Sequence, residues 1–398
     1  MQRKKSKYIV IMLTVVIIAA GIVTINIANK NDKPTSNQQA TPSEIAEKKP
    51  PQSITATASS PPAVQQYKLK SESFVSTFVA PSYISDSFIA FEKDISEKAT
   101  SYIDTFSLTT KQLKNIYQTP NKEIINSLVG VEDKLFWVEY SRDQEKDKSW
   151  EIKSLDLKTN QKKTLFSGAS EDNIEPPILR VFDDQVTWIE KTIKDHIVYS
   201  SAILYKPITN DFVKVATSEL KEQGKHRKGI YMAIQRPVPD GMLVQQSVFK
   251  TVGDTTDKSY EIVFYPYDQS KPITLRQSQQ GMVDFTADQK WFVWSEIGKL
   301  SVADRKTGEI RYVIEAKDKD LTIDSPFIRD NHLYYRYSMY QIFDVDLTTG
   351  KTSELSEYRL STSKIFNTSD YLGYSYMDAK NNNGEVEFEI ISPINQTN

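Results

Sequence analysis

The chain has 398 residues, 39% of them hydrophobic, and its 5 Trp, 21 Tyr and 17 Phe are ample for a folded core. Fifty Lys and Arg face 52 Asp and Glu, a net charge of −2. No whole-molecule field gathers nucleic acid, so nucleic acid is not expected as a partner. The absence of cysteine excludes disulfides, thiolate catalysis, Cys-ligated zinc, iron–sulfur clusters and a lipid-modified N-terminal cysteine.

Residues 1–7 (MQRKKSK) carry four positive charges and no acid, and read as a short cytoplasmic tail. Residues 8–28 (YIVIMLTVVIIAAGIVTINIA) hold no charge at all. As a helix rising about 1.5 Å per residue they would span roughly 32 Å, close to a bilayer's hydrocarbon thickness. The positive flank predicts a single-pass signal anchor in the cell membrane, with the rest of the chain extracytoplasmic. The alternative is a cleaved signal peptide and a secreted protein, since Ala19-Ala20-Gly21 offers a small-x-small site. Ile22, Val23, Ile25 and Ile27 continue the apolar run past that site and favour the anchor.

Residues 29–65 contain no aromatic side chain and have prolines at 34, 42, 50, 51, 61 and 62. Such a segment buries too little apolar area to offset its ordering entropy and is expected to be a disordered linker. Its mean reach as a flexible coil is on the order of 30–35 Å.

Residues 66–398 form the predicted folded domain, with strand signals about every ten residues and no sustained helical period. One unit recurs: an Asp, a short spacer, then an apolar core position. The aspartates are Asp86, Asp133, Asp184, Asp240, Asp288, Asp330 and Asp370. The core positions are Phe91, Trp137, Trp188, Val244, Trp294, Tyr335 and Tyr374. A second turn closes several units: Asp156, Asp304 and Asp346 each precede by four residues Asn160, Gly308 and Gly350, types that accept φ > 0. Units of roughly 40–50 residues with four strands have the arithmetic of β-propeller blades.

FTADQKWFVWSE (285–296) and the Pro-Asp-Gly turn of VPDGMLV (238–244) resemble TolB-like propeller repeats, within the wider WD40-like propeller class. The resemblance covers 65–394 in outline and implies an all-β propeller, usually six-bladed, in a membrane-anchored bacterial envelope protein. WD40 signatures (Gly-His, Trp-Asp) and kelch double glycines are absent. The count here favours a seven-bladed β-propeller, with six blades as the alternative. Residues 361–394 carry only three strand signals, including the hairpin turn Asn383-Gly384, and residues 66–74 would supply the fourth strand. Pairing the two chain ends closes the ring and removes two open sheet edges.

The seven aspartates read as turn residues that hydrogen-bond their own following backbone. The aromatic series reads as inter-blade core. His196, His226 and His332 lack ligand-like spacing, and neither a nucleophile elbow nor a phosphate-binding glycine loop occurs. No catalytic residue is assigned and no cofactor is expected. Glu175, Asp284 and Asp324 are the candidates for an axial metal, but they stand nine, four and six residues before their turn aspartates and share no linear register.

The turns between second and third strands, and the connections between blades, are long: 92–101, 141–150, 190–199, 218–228 and 249–259. Insertions concentrated on one face mark a binding face. Lys225, His226, Arg227 and Lys228, with Trp150 at the end of a charged loop, are its candidate binding residues. The expected function is a non-catalytic, membrane-tethered scaffold that binds an envelope protein or glycan. The alternative is an envelope hydrolase or lactonase with an axial divalent metal.

Overall fold

The computed structural model describes residues 52–53, 64–71, 74, 79–95, 100–120, 122–141, 143, 149–170, 175–223, 226–252, 255–368, 371–377 and 384–391. The tail, the anchor and most of the linker predicted from sequence lie outside them. Among the described residues every regular element is a strand. β1 (Gln52–Ser53) and β2 (Val64–Lys70) come first, and β2 begins two residues inside the stretch read as linker.

Antiparallel meanders follow in chain order. They are β3 (Tyr83–Ile84), β4 (Phe88–Ile95), β5 (Thr100–Ser107) and β6 (Leu113–Gln118), then β7 (Glu123–Val131), β8 (Lys134–Ser141), β9 (Ser149–Asp156) and β10 (Gln161–Ala169). Next come β11 (Arg180–Phe182), β12 (Gln185–Lys194), β13 (Ile197–Lys206) and β14 (Asp211–Gln223), which continue into β15 (His226–Val238), β16 (Gly241–Val252), β17 (Thr255–Pro266) and β18 (Ile273–Ser278) as one eight-stranded sheet. The series then runs through β19 (Asp284–Ala287), β20 (Trp291–Glu296), β21 (Lys299–Asp304) and β22 (Ile310–Glu315), with β1 added parallel to β22. It ends with β23 (Ile323–Arg329), β24 (His332–Tyr337), β25 (Gln341–Asp346) and β26 (Thr352–Glu354), and with β27 (Phe366–Asn367), β28 (Leu372–Met377) and β29 (Glu385–Ile391).

Closure follows the sequence expectation. β2 pairs antiparallel with β29 from Val64↔Ile391 to Lys70↔Glu385, so the N-terminal strand completes the last sheet. First strands touch in succession, β3 to β7, β7 to β11, β11 to β15, β15 to β19 and β19 to β23, and β27 returns to β3. A hydrophobic cluster fills the gap between each consecutive pair of meanders, the last one joining Phe388 and Val386 to Phe91 and Ile89. Sheets stacked face to face around a common centre are a β-propeller. All the repeated core positions are buried: Phe91, Trp137, Val244 and Tyr374 at 0% exposure, Trp188 at 1%, Trp294 and Tyr335 at 4%.

The turn chemistry divides between two classes. Asp156, Asp304 and Asp346 each accept backbone N–H groups two and three residues on, and Asn160, Gly308 and Gly350 take φ of 55°, 73° and 75°. In the other series only Asp288, among the described residues, caps its own turn in this way. Asp86 instead accepts the Tyr371 hydroxyl, Asp133 pairs with Lys158, and Asp240 accepts Arg305 Nη1 at 2.9 Å. These aspartates therefore tie strands and neighbouring sheets together, a correction to the uniform self-capping read from sequence. Asp370 lies outside the described residues.

Three of the predicted long loops are not loops. Residues 190–199 form two strands joined by a tight turn at Asp195 and His196 (φ 52° and 61°), and 249–259 lies almost wholly in β16 and β17. The connection 218–228 is a hairpin in which Leu220, Lys221, Glu222 and Gln223 pair with Gly229, Lys228, Arg227 and His226. Gly229 is required there, with φ 125° and a Cβ that would lie 2.1 Å from the Glu219 carbonyl oxygen. The hairpins raise a ridge above one end of the disc, with its own small core of Val198, Leu220 and Phe249.

Candidate functional site: a charged cluster at the axis

The first strand of each meander lines the centre of a propeller, so side chains there from different sheets converge. Five consecutive meanders place charge in this region: Arg180 on β11, Arg236 on β15, Asp284 on β19, Asp324 on β23 with Arg336 beside it on β24, and Lys364 just before β27.

The two acids share a level that their linear spacing conceals. Asp284 lies opposite Ser295 and Asp324 opposite Arg336, each the residue after the core position of the neighbouring strand. Of the two-residue offset in sequence, one residue is absorbed by a bulge between Asp324 and Phe327, with Ser325 at φ 52°. The other disappears because Asp330 sits inside its turn, whereas Asp288 precedes its own. The arginines form a second level: Arg180 lies opposite Thr187 and Arg236 opposite Leu243, each the residue before a core position. The two levels differ by two residues, about 7 Å along a strand, within reach of an arginine side chain.

Both acids are already engaged. Asp284 is 8% exposed; its Oδ1 accepts Arg236 Nη2 at 2.7 Å and Phe285 N at 2.9 Å, and its Oδ2 accepts Ser325 N at 3.0 Å. Asp324, 7% exposed, takes the Arg336 fork, Nε at 2.8 Å and Nη2 at 2.7 Å, while Arg336 Nη1 donates to the Thr362 carbonyl at 2.9 Å. Burial raises the Asp284 carboxyl, but Arg236, Lys364, Arg180 and the Phe285 N–H outweigh it and hold the group below the usual range.

Neighbouring polar groups fix the positions of the two remaining cations. Leu179 N donates to Ser127 Oγ at 2.9 Å, and Gln235 Nε2 donates to the carbonyls of Ile178 and Thr187, so the start of β11 is held from both sides. Ser363 binds Ser375 through two hydrogen bonds, which locks the backbone before Lys364. Arg180 and Lys364 are half-buried, and no hydrogen bond joins either side chain to an acceptor among the described residues, whereas Arg236 Nε is fully buried without one. Desolvation, then the Arg236 charge, pull Arg180 down to about 10. Desolvation likewise lowers Lys364, with Arg180 and Arg336 adding to it against Asp284 and Asp324.

The axis is thus cationic, and this bears on the metal candidates. Glu175 is exposed, lies before β11 and is not part of the cluster. Asp284 and Asp324 do come to one level, but every oxygen of both already accepts from a guanidinium or a backbone N–H, a poor ligand set for a divalent ion. Among the described residues no group of three acids or histidines could hold a metal. The histidines lie apart: His196 in a turn, His226 on β15, and His332 on β24 bonded to Asp344 at 2.8 Å.

The binding residues proposed from sequence are placed differently from one another. Trp150 is 4% exposed, stacks on Phe166 at 5.9 Å and presses on Gly168; it belongs to the core, not to an exposed loop end. His226, Arg227 and Lys228 lie on β15 at the ridge, where Arg227 pairs with Glu222 at 2.9 Å and covers the Phe249 ring. Lys225 lies outside the described residues.

No protein-family model matches the chain, and no curated protein does. Among solved structures, the computationally designed Ika8 protein is similar at 11% identity over 78% of this chain and 96% of that one, with a TM-score of 0.44. Pyrococcus horikoshii acylaminoacyl peptidase is similar at 12% identity with a TM-score of 0.48, over 75% of this chain but only 49% of that enzyme. The β-propeller domain of the Trilobed protease from Pyrococcus furiosus gives 12% identity, 75% and 89% coverage and a TM-score of 0.48.

Proposed function

We propose that this chain is a membrane-tethered, seven-bladed propeller outside the cytoplasm. In this reading it acts as a non-catalytic scaffold that binds an envelope protein or glycan through its ridge. The seven-blade count treats the eight-stranded sheet as two blades fused through β14 and β15 and takes β2 as the outer strand of the last. Deleting residues 64–70 would then expose the β29 edge, lower the melting temperature and promote self-association. A truncated chain that melts like the intact one and stays monomeric would remove the ring.

The observation that carries the binding role is the extension of β12–β17 to 10–13 residues each, against six residues in β20, β21, β24 and β25. That extra length adds little to the central core; it packs on a separate small cluster of Val198, Leu220 and Phe249, with Ile193 and Tyr231 against it. It presents cations over aromatic rings at the surface, Lys191 over Tyr231 at 4.7 Å and Lys258 over Tyr260 at 4.5 Å. Extensions confined to one end of a propeller and unneeded for its core fit a recognition surface. The metal-hydrolase alternative loses support because its two buried acids are spent on Arg236 and Arg336.

Photo-crosslinking in intact cells tests the role. A crosslinker at Lys194 or Lys250 on the ridge is expected to capture a reproducible partner that one at Lys306, on the turns at the opposite end, does not. Identical capture from both ends would overturn the assignment of the ridge.

A further inference from the structure

The axial cluster contains more positive charge than its acids answer. Arg236 and Arg336 are matched by Asp284 and Asp324, which leaves Arg180 and Lys364 as two unmatched cations around the same carboxylate. Structural ion pairs do not require this arrangement, since apolar or neutral side chains at both positions would avoid the cost of desolvating charge. Arg180 and Lys364 are half-buried and so remain open to a ligand, while Arg236 Nε is buried with no acceptor, an unsatisfied donor that an arriving oxygen would complete. Both side chains also sit on backbone held firmly by neighbouring sheets, through Ser127 and Gln235 on one side and Ser363 with Ser375 on the other. The donors are therefore positioned before any ligand arrives, which lowers the ordering cost of binding.

We propose that Arg180, Lys364 and the unpartnered Nε–H of Arg236 form an oxyanion site on the propeller axis, matched to a phosphate group. An excess of two positive charges fits a group with up to two negative ones. The guanidinium forks suit its oxygens, and Lys364 adds a point charge. The acids Asp284 and Asp324 do not repel the ligand as bare carboxylates would, because each is covered by an arginine. The site is distinct from the ridge, and its test does not depend on a ridge partner.

Calorimetry and thermal melting of the full-length chain in detergent, at constant ionic strength, are the measurements. Inorganic phosphate is expected to bind saturably and to raise the melting temperature by about 2 °C at ten times its Kd, relative to chloride. Acetate, with one charge, is expected to bind at least tenfold more weakly. Tighter binding of glycerol phosphate than of inorganic phosphate assigns the site to a terminal phosphate monoester; weaker binding assigns it to the free ion. The Arg180→Gln/Lys364→Met variant is expected to lose the phosphate response while melting no lower than wild type in phosphate-free buffer, and Lys306→Gln is expected to keep the response. Saturable broadening of the phosphate ³¹P resonance by the wild-type chain provides a readout that needs no variant. Absence of that broadening, equal affinity for acetate, or a full phosphate response in the double variant overturns the site.

Discussion

Between the first two meanders, a buried carboxylate, Glu139 at 2% exposure, accepts Tyr117 Oη at 2.6 Å, Trp137 Nε1 at 3.1 Å and Lys153 Nζ at 2.5 Å. At the axis, Asp284 and Asp324 are just as well satisfied, but Arg180 and Lys364 stand beside them with no acceptor. Both regions bury charge between propeller sheets, and they differ in whether the sum closes. Burial alone pushes Glu139 up, yet Glu123, Lys153, Tyr117 and Trp137 together bring it below the usual carboxylate range. A closed network of that kind fixes the angle between two sheets and leaves nothing for a ligand. An open one keeps unsatisfied donors in place, and that is the property of a binding site.

The contrast is broken most directly at its closed end. Glu139→Ala would leave Lys153, Tyr117 and Trp137 without their common acceptor and should destabilise the fold by on the order of 3 kcal/mol. It should leave phosphate binding unchanged. Denaturant midpoints with an unaltered m-value would establish the first outcome and calorimetry the second. A loss below about 1 kcal/mol would mean that the network is not what joins these sheets.

Asp284→Asn sharpens the other end. It strips Arg236 of its counter-charge and should cost roughly 1–3 kcal/mol. The same change removes a negative charge from the axis, so phosphate should bind more tightly than in wild type. Stability and affinity moving in opposite directions is the signature of an open cluster. If both fell together, Asp284 would be supporting the site's shape and not balancing its charge.

Much of the fold was legible in the sequence because burial and turn chemistry are local. The recurring core positions are buried, the Asp-to-Asn/Gly turns form as read, and residues near 66 do complete the last sheet. The axis was not legible, for two reasons. Counting from turn aspartates set Asp284 and Asp324 at different heights, and only the bulge at Ser325 and the shifted turn at Asp330 restore their common level. The acids are also only half of the axial charge: Arg180 and Arg236 each stand four residues before a turn aspartate, Asp184 and Asp240, a cationic register that a pattern of carboxylates does not reveal. Trp150 misled in the opposite sense. Its place at the end of a charged stretch suggested exposure, but alternation along β9 turns it inward, in step with Ile152.

The smallest expected effect is a pH dependence, and it belongs to the first two meanders. Glu123 is raised to about 7 by its hydrogen bond with Glu139 and then by burial. Glu92 is raised to about 7 by burial, with Asp94 adding and the Ser82 hydroxyl opposing. A carboxyl with a folded-state pKa above its unfolded value binds its proton more tightly when folded. Its stabilising contribution is therefore complete below the unfolded value near 4.5 and is lost as pH rises through about 7. Melting temperature should fall between pH 5 and 8, and Glu92→Gln/Glu123→Gln should flatten that fall, since an amide keeps a donor at every pH. Asp284 predicts the reverse at the axis: its depressed carboxyl stabilises the fold above the unfolded pKa and loses that contribution only in acid. A pH 5–8 slope that survived the double substitution unchanged would have to arise outside these two carboxyls, and the protonated Glu123–Glu139 pair would no longer account for the closed network.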